Sequence, residues 1–181
     1  MLRSRVGSTV SANSLARDLQ KSPNTINHWL RLLTGLYVIF PVLPYHQNIA
    51  RALLKQPKYY FYDNGMVAGD DGSKLENLVA CALLKEIHRL EDVEGEELDL
   101  HFIRDKDERE IDFVITRNRQ PHHFIEVKWA DQNLSANLPR FLSNRKLKRT
   151  QIVAELEQAK SFPDGERVVP ARSFLYDLPL L

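Results

Sequence analysis

Apolar positions in the first part of the chain follow a helical spacing. A helix is predicted over 14–19, with Ser11 or Asn13 as its cap. After a short break, a second helix begins near Thr25 and ends at Gly35. Its core-facing stripe, spaced by three and four residues, comprises Ile26, Trp29, Leu30 and Leu33. The pattern therefore predicts two short helices in close succession.

Strand signals follow the two helices. Runs rich in β-branched and aromatic residues lie at 36–40 and 58–62. The stretch between them, at 48–54, is predicted as a short helix or a turn. A tight helical pair followed by two strands predicts a winged helix, which is a variant of the helix-turn-helix.

A long amphipathic helix begins the second part of the chain. The polar, glycine-rich sequence at 69–72 marks a boundary, so the predicted domains are 1–68 and 69–181. The helix starts at Ser73, and a solvated acidic loop is expected at 91–97. Its broad apolar stripe comprises Leu75, Leu78, Val79, Ala82, Leu83, Ile87 and Leu90. Such a stripe predicts packing of this helix against a core.

Three strands are predicted after this helix, at 98–104, 110–116 and 122–129, joined by polar turns. Short connections of this kind predict an antiparallel meander. A helix is expected at 139–147 and a further strand at 151–156. The order of elements predicts an α/β domain, of the α+β type, with helices packed on a mixed sheet.

The charge is unevenly distributed along the 181 residues. Residues 1–62 carry eight Lys and Arg against one acid, a net charge of +7, while the rest carries −6. The basic part is therefore a candidate for binding a polyanion. A single cysteine, the absence of an apolar signal core and the lack of a long apolar run predict a cytoplasmic protein without a membrane span.

Candidate chemistry lies on the hairpin formed by the second and third strands of the meander. Because side chains alternate along a strand, Glu126 and Lys128 share a face, and Asp112 on the preceding strand joins them if the register allows. Burying charge in an apolar sheet is costly unless the charges are paired or bind a metal. Two carboxylates suit Mg²⁺ or Mn²⁺, and Lys128 is suited to orient or deprotonate an attacking water.

Two alternatives weigh against this interpretation. Asp112, Glu126 and Lys128 can simply form salt bridges on a solvated sheet face. A fourth acid, Glu76, has a structural role available to it, because Ser73 and Glu76 have the spacing of a capping box at the start of the long helix. From the residues alone, capping is the preferred role of Glu76.

The spacing of these residues resembles a known nuclease superfamily. Ile111-Asp112, followed after thirteen residues by Glu126-Val127-Lys128, resembles the PD-(D/E)XK motif. The resemblance implies a restriction-endonuclease-like fold for 69–181, with Asp112, Glu126 and Lys128 as catalytic residues. It also implies that Glu76, on the first helix of that fold, joins Asp112 and Glu126 as a metal ligand.

Over almost its whole length the chain also resembles the C-terminal region of a prokaryotic AAA+-type ATPase family. The resemblance rests on motifs such as those at 57–65, 72–79 and 125–128. It implies a winged helix and a nuclease-like domain of unknown function, with an ATPase module or partner. No phosphate-binding loop is recognised, because Ala68 and Ser73 occupy the positions before Lys74 at which a G-x-x-x-x-G-K loop has its two glycines, so this chain is not expected to hydrolyse ATP.

The function expected from these observations is DNA binding with metal-dependent hydrolysis of phosphodiester bonds. The alternative is a non-catalytic DNA- or protein-binding module that regulates an AAA+ ATPase system, and a third possibility is a winged helix that makes protein contacts only. The expected DNA contacts lie around the start of the second helix and comprise Lys21, Asn24, Thr25, Asn27, His28 and Arg31.

Three other features have less specific interpretations. Cys81 lies in an apolar run and is expected to be a packing residue rather than a nucleophile. The pair His122 and His123 is expected at the edge of a turn beside Pro121. The basic stretch that ends at Arg149 is expected to be a solvated face, or to follow a phosphate backbone if the metal site is real.

Overall fold

The computed structural model describes residues 1–46, 56–105, 109–138 and 147–180. The chain divides into two compact units, Met1–Cys81 and Ala82–Leu181.

The first unit contains two helices followed by a hairpin. Its elements are α1 (Ala12–Leu19), α2 (Pro23–Gly35), β1 (Ile39–Pro44) and β2 (Lys58–Phe61). Ser11 caps α1 by accepting a hydrogen bond from the Ser14 amide, and Ser22 caps α2 in front of Pro23. Serine caps, and proline at the first helical position, explain locally why the two helices begin where they do. The strands β1 and β2 are antiparallel.

Two expectations for this unit are wrong. Trp29 is 41% exposed, because the buried stripe of α2 runs through Ile26 and Leu30 and leaves Trp29 on its flank. The first strand begins at Ile39 rather than near residue 36, because Tyr37 has a left-handed backbone with φ of 55° and turns the chain. The helix or turn expected at 48–54 lies outside the described residues.

The long helix α3 spans Asp71–Glu94. It begins two residues before the expected Ser73, because the Asp70 carboxylate accepts hydrogen bonds from the Ser73 amide at 2.8 Å and from the Ser73 hydroxyl at 2.7 Å. The capping box expected between Ser73 and Glu76 is therefore wrong, since Asp70 performs the capping. The helix also extends to Glu94, into the segment expected to be an acidic loop.

The second unit is built on a mixed sheet. Its elements after α3 are β3 (Leu98–Arg104), β4 (Glu110–Arg117), β5 (Gln120–Lys128), β6 (Lys148–Val153), β7 (Lys160–Ser161), β8 (Glu166–Pro170) and α4 (Ala171–Asp177). β3, β4 and β5 form the expected antiparallel meander. β6 is parallel to β5, β8 is parallel to β6, and β7 is antiparallel to β8. The mixed sheet predicted from the sequence is thus confirmed, whereas 139–146, most of the helix expected at 139–147, is outside the described residues.

The central strands are buried on both faces. Phe113 and Ile125 are fully buried, as are Val114 and Phe124 on the opposite face of the hairpin. Leu138 packs against Val114 and Phe124, so the segment after β5 covers that second face. Burial on both faces explains why these strands have nearly continuous apolar sequences rather than strict alternation. No helix within the described residues combines the length and the apolar composition needed to cross a membrane.

Candidate functional site

The hairpin of β4 and β5 sets the two candidate acids next to each other. Its register pairs Phe113 with Ile125, and the next step along the hairpin places Asp112 opposite Glu126. The amide of Val127 donates a hydrogen bond to Asp112 Oδ2 at 2.8 Å. This bond ties the half-buried Asp112 side chain to the backbone of β5, immediately after Glu126.

Glu126 is a buried carboxylate with a lysine beside it. Its side chain is only 3% exposed, and Lys128 Nζ lies 2.8 Å from Glu126 Oε1 while Lys128 itself is 38% exposed. The hydroxyl of Ser135 lies 3.5 Å from the same oxygen. Because Lys128 follows Glu126 by two positions, the strand period directs both side chains to one face. The site is thus dry at Glu126 and open to solvent at Lys128.

A residue that the sequence did not single out holds the loop over this face. Gln151 on β6 is fully buried and lies opposite Glu126 in the parallel register. Its Oε1 accepts a hydrogen bond from the Ser135 amide at 2.7 Å, and its Nε2 donates to the carbonyls of Asp131 and Asn133 at 2.9 and 2.8 Å. The only signal in the sequence is a glutamine between Thr150 and Ile152 in a strand, which is weak. Gln151 fixes the loop that brings Ser135 to Glu126.

The donor set fits a hard divalent cation. Carboxylate oxygens are the ligands that Mg²⁺ takes from proteins, usually from one or two residues, and it keeps several waters. Asp112 and Glu126 supply such oxygens from adjacent strands, and Asp112 is anchored by the Val127 amide. Within the described parts of the chain, no three His, Cys, Asp or Glu side chains form a group that could hold a metal. A cation here would therefore rely on these two acids, with water and substrate oxygens completing its shell.

Glu76 belongs to a charged cluster within the first unit. Glu76 Oε1 accepts a hydrogen bond from the Tyr60 hydroxyl at 2.7 Å and lies 3.4 Å from Lys58 Nζ. Lys58 and Tyr60 are both fully buried. The backbone of Gly7, with φ of +78°, approaches so closely that an added Cβ would lie 2.5 Å from Glu76 Oε2. The carboxylate thus neutralises a buried lysine on β2 and joins α3 to that strand.

The next residue, Asn77, strengthens the same junction. Its side chain accepts a hydrogen bond from the Phe61 amide at 2.8 Å and donates to the Phe61 carbonyl at 2.9 Å. Asn77 is fully buried and thus completes the backbone pairing at the end of β2 as a neighbouring strand would. This role cannot be read from a local pattern, because the two residues are sixteen positions apart.

The expected DNA contacts surround the start of α2. Of the six, Lys21, Asn24, Asn27, His28 and Arg31 are exposed, and Thr25 is half-buried. The Thr25 amide donates to the capping hydroxyl of Ser22 at 3.1 Å. Helix N-termini present free amides and a positive dipole end, both of which favour phosphate.

One cysteine and one histidine have structural surroundings: Cys81 is half-buried and His123 is buried. Burial raises the pKa of Cys81 to about 11, and its thiol donates to the Phe61 carbonyl at 3.1 Å, in agreement with a packing role. His123 is not a turn-edge residue: it is 1% exposed, and its Nε2 forms a hydrogen bond with Thr150 Oγ1 at 2.8 Å. Burial lowers the pKa of His123 to about 3, so the imidazole is neutral at physiological pH.

The basic stretch was predicted to be a solvated face, and this prediction is wrong for Arg149 at its end. Arg149 is 5% exposed and lies 3.4 Å from Glu166, which is itself 3% exposed. The pair links β6 to β8 inside the second unit. Arg149 is therefore a buried structural cation rather than part of a solvated basic surface.

Comparison with known proteins divides the chain much as its composition does. Residues 1–72 match a domain of unknown function, DUF8612. Residues 71–174 match a second domain of unknown function, DUF4143, which is often found with AAA ATPases. No curated protein and no solved structure matches the chain. Since the second match covers more than half of the sequence, including β4, β5 and the hairpin acids, the chain belongs to the DUF4143 family.

Proposed function

We propose that this protein binds DNA and hydrolyses phosphodiester bonds with the help of Mg²⁺ or Mn²⁺. In this proposal the second unit is a PD-(D/E)XK-type nuclease fold. The observation that carries it is the hairpin geometry: Asp112 is hydrogen-bonded to the amide that follows Glu126, and Lys128 lies 2.8 Å from the Glu126 carboxylate. A buried acid, a second acid and a solvent-accessible lysine at one sheet edge match the needs of phosphate chemistry.

Each of these side chains has a role that follows from its position. Asp112 and Glu126 would hold the cation. When bound, such an ion lowers the pKa of a coordinated water and neutralises charge on the phosphate. Lys128, whose ammonium is partly exposed, would orient the attacking water and stabilise charge that develops on the phosphate oxygens. Ser135 and Gln151 would hold the covering loop so that Glu126 stays dry.

In the same proposal the first unit is a winged helix that supplies most of the DNA affinity. The support is the excess of basic residues in 1–62, with a net charge of +7, and the exposed polar residues around the start of α2. Neutralising phosphates with Lys and Arg releases counterions, so binding should weaken steeply as salt rises. A fragment of 69–181 that binds duplex DNA as tightly as the full chain would contradict this part.

A second candidate function is a non-catalytic DNA- or protein-binding module that serves an AAA+ ATPase partner. One observation favours it: Lys128 and Glu126 already form a close ion pair, and Asp112 already accepts a backbone hydrogen bond. Each carboxylate is therefore stabilised without a cation, Glu126 by the ammonium and Asp112 by the Val127 amide. The two candidates differ in whether the ion pair opens to admit metal.

Cleavage assays separate the two candidates. Plasmid and single-stranded DNA are incubated with Mn²⁺ or Mg²⁺ and wild type, Asp112→Asn, Glu126→Gln or Lys128→Ala. Asp99→Asn, on an exposed position of β3, is the matched control. The proposal predicts cleavage by wild type and by the control, and none by the three site variants. If wild type binds DNA but cleaves neither substrate with either metal, the non-catalytic module is favoured.

A further inference from the structure

An exposed indole follows the candidate site in the chain, at the same edge of the sheet. Trp129 follows Lys128 at the end of β5, and its side chain is 41% exposed. β5 and β6 are parallel and end together, so the end of β6 brings Glu155 to the same edge of the sheet. Because β4 runs antiparallel to β5, its first residues, including Asp112, lie at this edge as well. In α/β proteins ligands bind at the carboxyl ends of parallel strands.

The indole is held in position rather than left mobile. Its Nε1–H donates to Glu155 Oε1 at 3.0 Å, and the Glu155 amide donates to the Trp129 carbonyl at 3.0 Å. The Glu155 carbonyl in turn accepts from Gln132 Nε2 at 2.7 Å, and Lys160 donates to Gln132 Oε1 at 3.3 Å. The ring is therefore fixed at its polar edge while two-fifths of its surface meets water. The indole is therefore both exposed to solvent and held in one orientation by its hydrogen bonds.

Charged groups of both signs surround the indole, so the binding expected here comes from stacking on the ring. Two lysines are close in these connections. Lys128 precedes Trp129 in the chain, and Lys160 donates to Gln132, which donates to the carbonyl of Glu155. Glu155 accepts a hydrogen bond from the indole, and Asp131 accepts from the amide and side chain of Asn133, so both carboxylates are held by neutral donors and keep their negative charge. A planar aromatic ring with cations nearby is the arrangement on which nucleic-acid bases stack.

We infer that Trp129 stacks on an unpaired nucleobase next to the scissile phosphate, so that the substrate class is single-stranded DNA or a duplex with unpaired bases. The faces of bases inside a continuous duplex are covered by their neighbours, whereas a base in a single strand offers its face to an aromatic ring. This inference rests on the proposed DNA-binding function and adds the substrate form, which the acids and the lysine do not determine.

Fluorescence of a single tryptophan tests the inference. The chain has two tryptophans, so Trp29→Phe leaves Trp129 as the only one. A short oligothymidine and a blunt duplex of equal length are added in EDTA, which prevents cleavage, and binding is followed in parallel by anisotropy of a label on the DNA. The inference predicts that the single strand quenches Trp129 and that the duplex does so much less. The reciprocal variant Trp129→Phe should show no such strand-dependent quenching of Trp29.

Affinity provides the second measurement. Trp129→Ala should weaken binding of the oligothymidine by on the order of tenfold, the effect of losing one base stack, and leave duplex binding unchanged. Trp129→Phe keeps a smaller ring, so its affinity for the oligothymidine should lie between those of wild type and Trp129→Ala. Tyr176→Ala, which removes an 89%-exposed aromatic from α4, is the matched control and should bind like wild type. Circular dichroism checks that each variant folds.

The outcomes distinguish this inference from the function beneath it. If anisotropy reports binding of the single strand while Trp129 is not quenched and Trp129→Ala binds equally well, the stacking inference is wrong and the DNA-binding proposal stands. If neither oligonucleotide binds to the wild-type chain at any salt concentration, the proposed function fails and the inference fails with it.

Discussion

Replacing Lys128 by alanine should expose how the buried charge of Glu126 is balanced. In wild type the ammonium lies 2.8 Å from a carboxylate that is 3% exposed. Removing one partner of a fully buried pair costs roughly 3–5 kcal/mol, since the other charge stays buried and alone. Because Lys128 is 38% exposed, water can reach its place, which reduces the expected cost to about 1–2 kcal/mol.

This loss is large enough to measure by thermal unfolding. In a unit of about 100 residues, 1 kcal/mol shifts the Tm by roughly 4–8 °C, so Lys128→Ala in EDTA should melt about 5–15 °C lower than wild type. Saturating Mn²⁺ should recover most of the loss, because a bound cation neutralises Glu126 in place of the ammonium. A ligand at 100 times its Kd adds about 2.7 kcal/mol, which is sufficient for that recovery.

The double variant Lys128→Ala/Glu126→Gln supplies the control. It leaves no charge in the buried position, so its Tm should return close to that of wild type and should not respond to Mn²⁺. A Lys128→Ala variant that melts within about 2 °C of wild type in EDTA, far less than the shift expected, would contradict this account of the buried charge. So would a double variant that remains as unstable as the single one. Failure of Mn²⁺ to rescue Lys128→Ala would count against the metal site specifically.

Three further predictions test the fold and the proposed interface. Burial lowers the pKa of His123 to about 3, whereas the same histidine has a pKa near 6.5 in the unfolded chain. Its contribution to stability is therefore fully present above pH 6.5 and falls by about 2.5 kcal/mol at pH 4.5. Urea unfolding should show this loss in wild type and not in His123→Phe. Asn77→Ala should cost about 2–3 kcal/mol, since it leaves the amide of Phe61 without an acceptor, and an unchanged urea midpoint would contradict that role. Arg31→Ala should lower the slope of log Kd for DNA against log salt by about 0.9, whereas Arg89→Ala, which removes a side chain engaged by acids on α3, should not.

Much of the second unit could be predicted because its signals are local. The three strands of the meander have apolar sequences bounded by polar turns, and strand alternation alone put Glu126 and Lys128 on one face. The antiparallel hairpin then leaves little freedom in where Asp112 lies. For the same reason the two helices of the first unit were found from their caps and their apolar spacing.

The features that sequence analysis missed depend on distant partners. Glu76 looked like a helix cap because Ser73 is near in sequence, but Lys58 and Tyr60, more than fifteen residues earlier, determine its place. Trp29 has the spacing of a core residue, and only the packing around α2 shows that it lies on the flank. Gln151 orders a loop through hydrogen bonds that no spacing pattern reveals.

The proposed nuclease requires Asp112 and Glu126 to bind one divalent cation together, and calorimetric titration with Mn²⁺ measures that binding. Wild type and the β3 control Asp99→Asn should each bind one ion with the same affinity. Asp112→Asn should lose the binding heat while it keeps its fold by circular dichroism. Equal Mn²⁺ binding by wild type and Asp112→Asn, or no binding by wild type, would contradict the account.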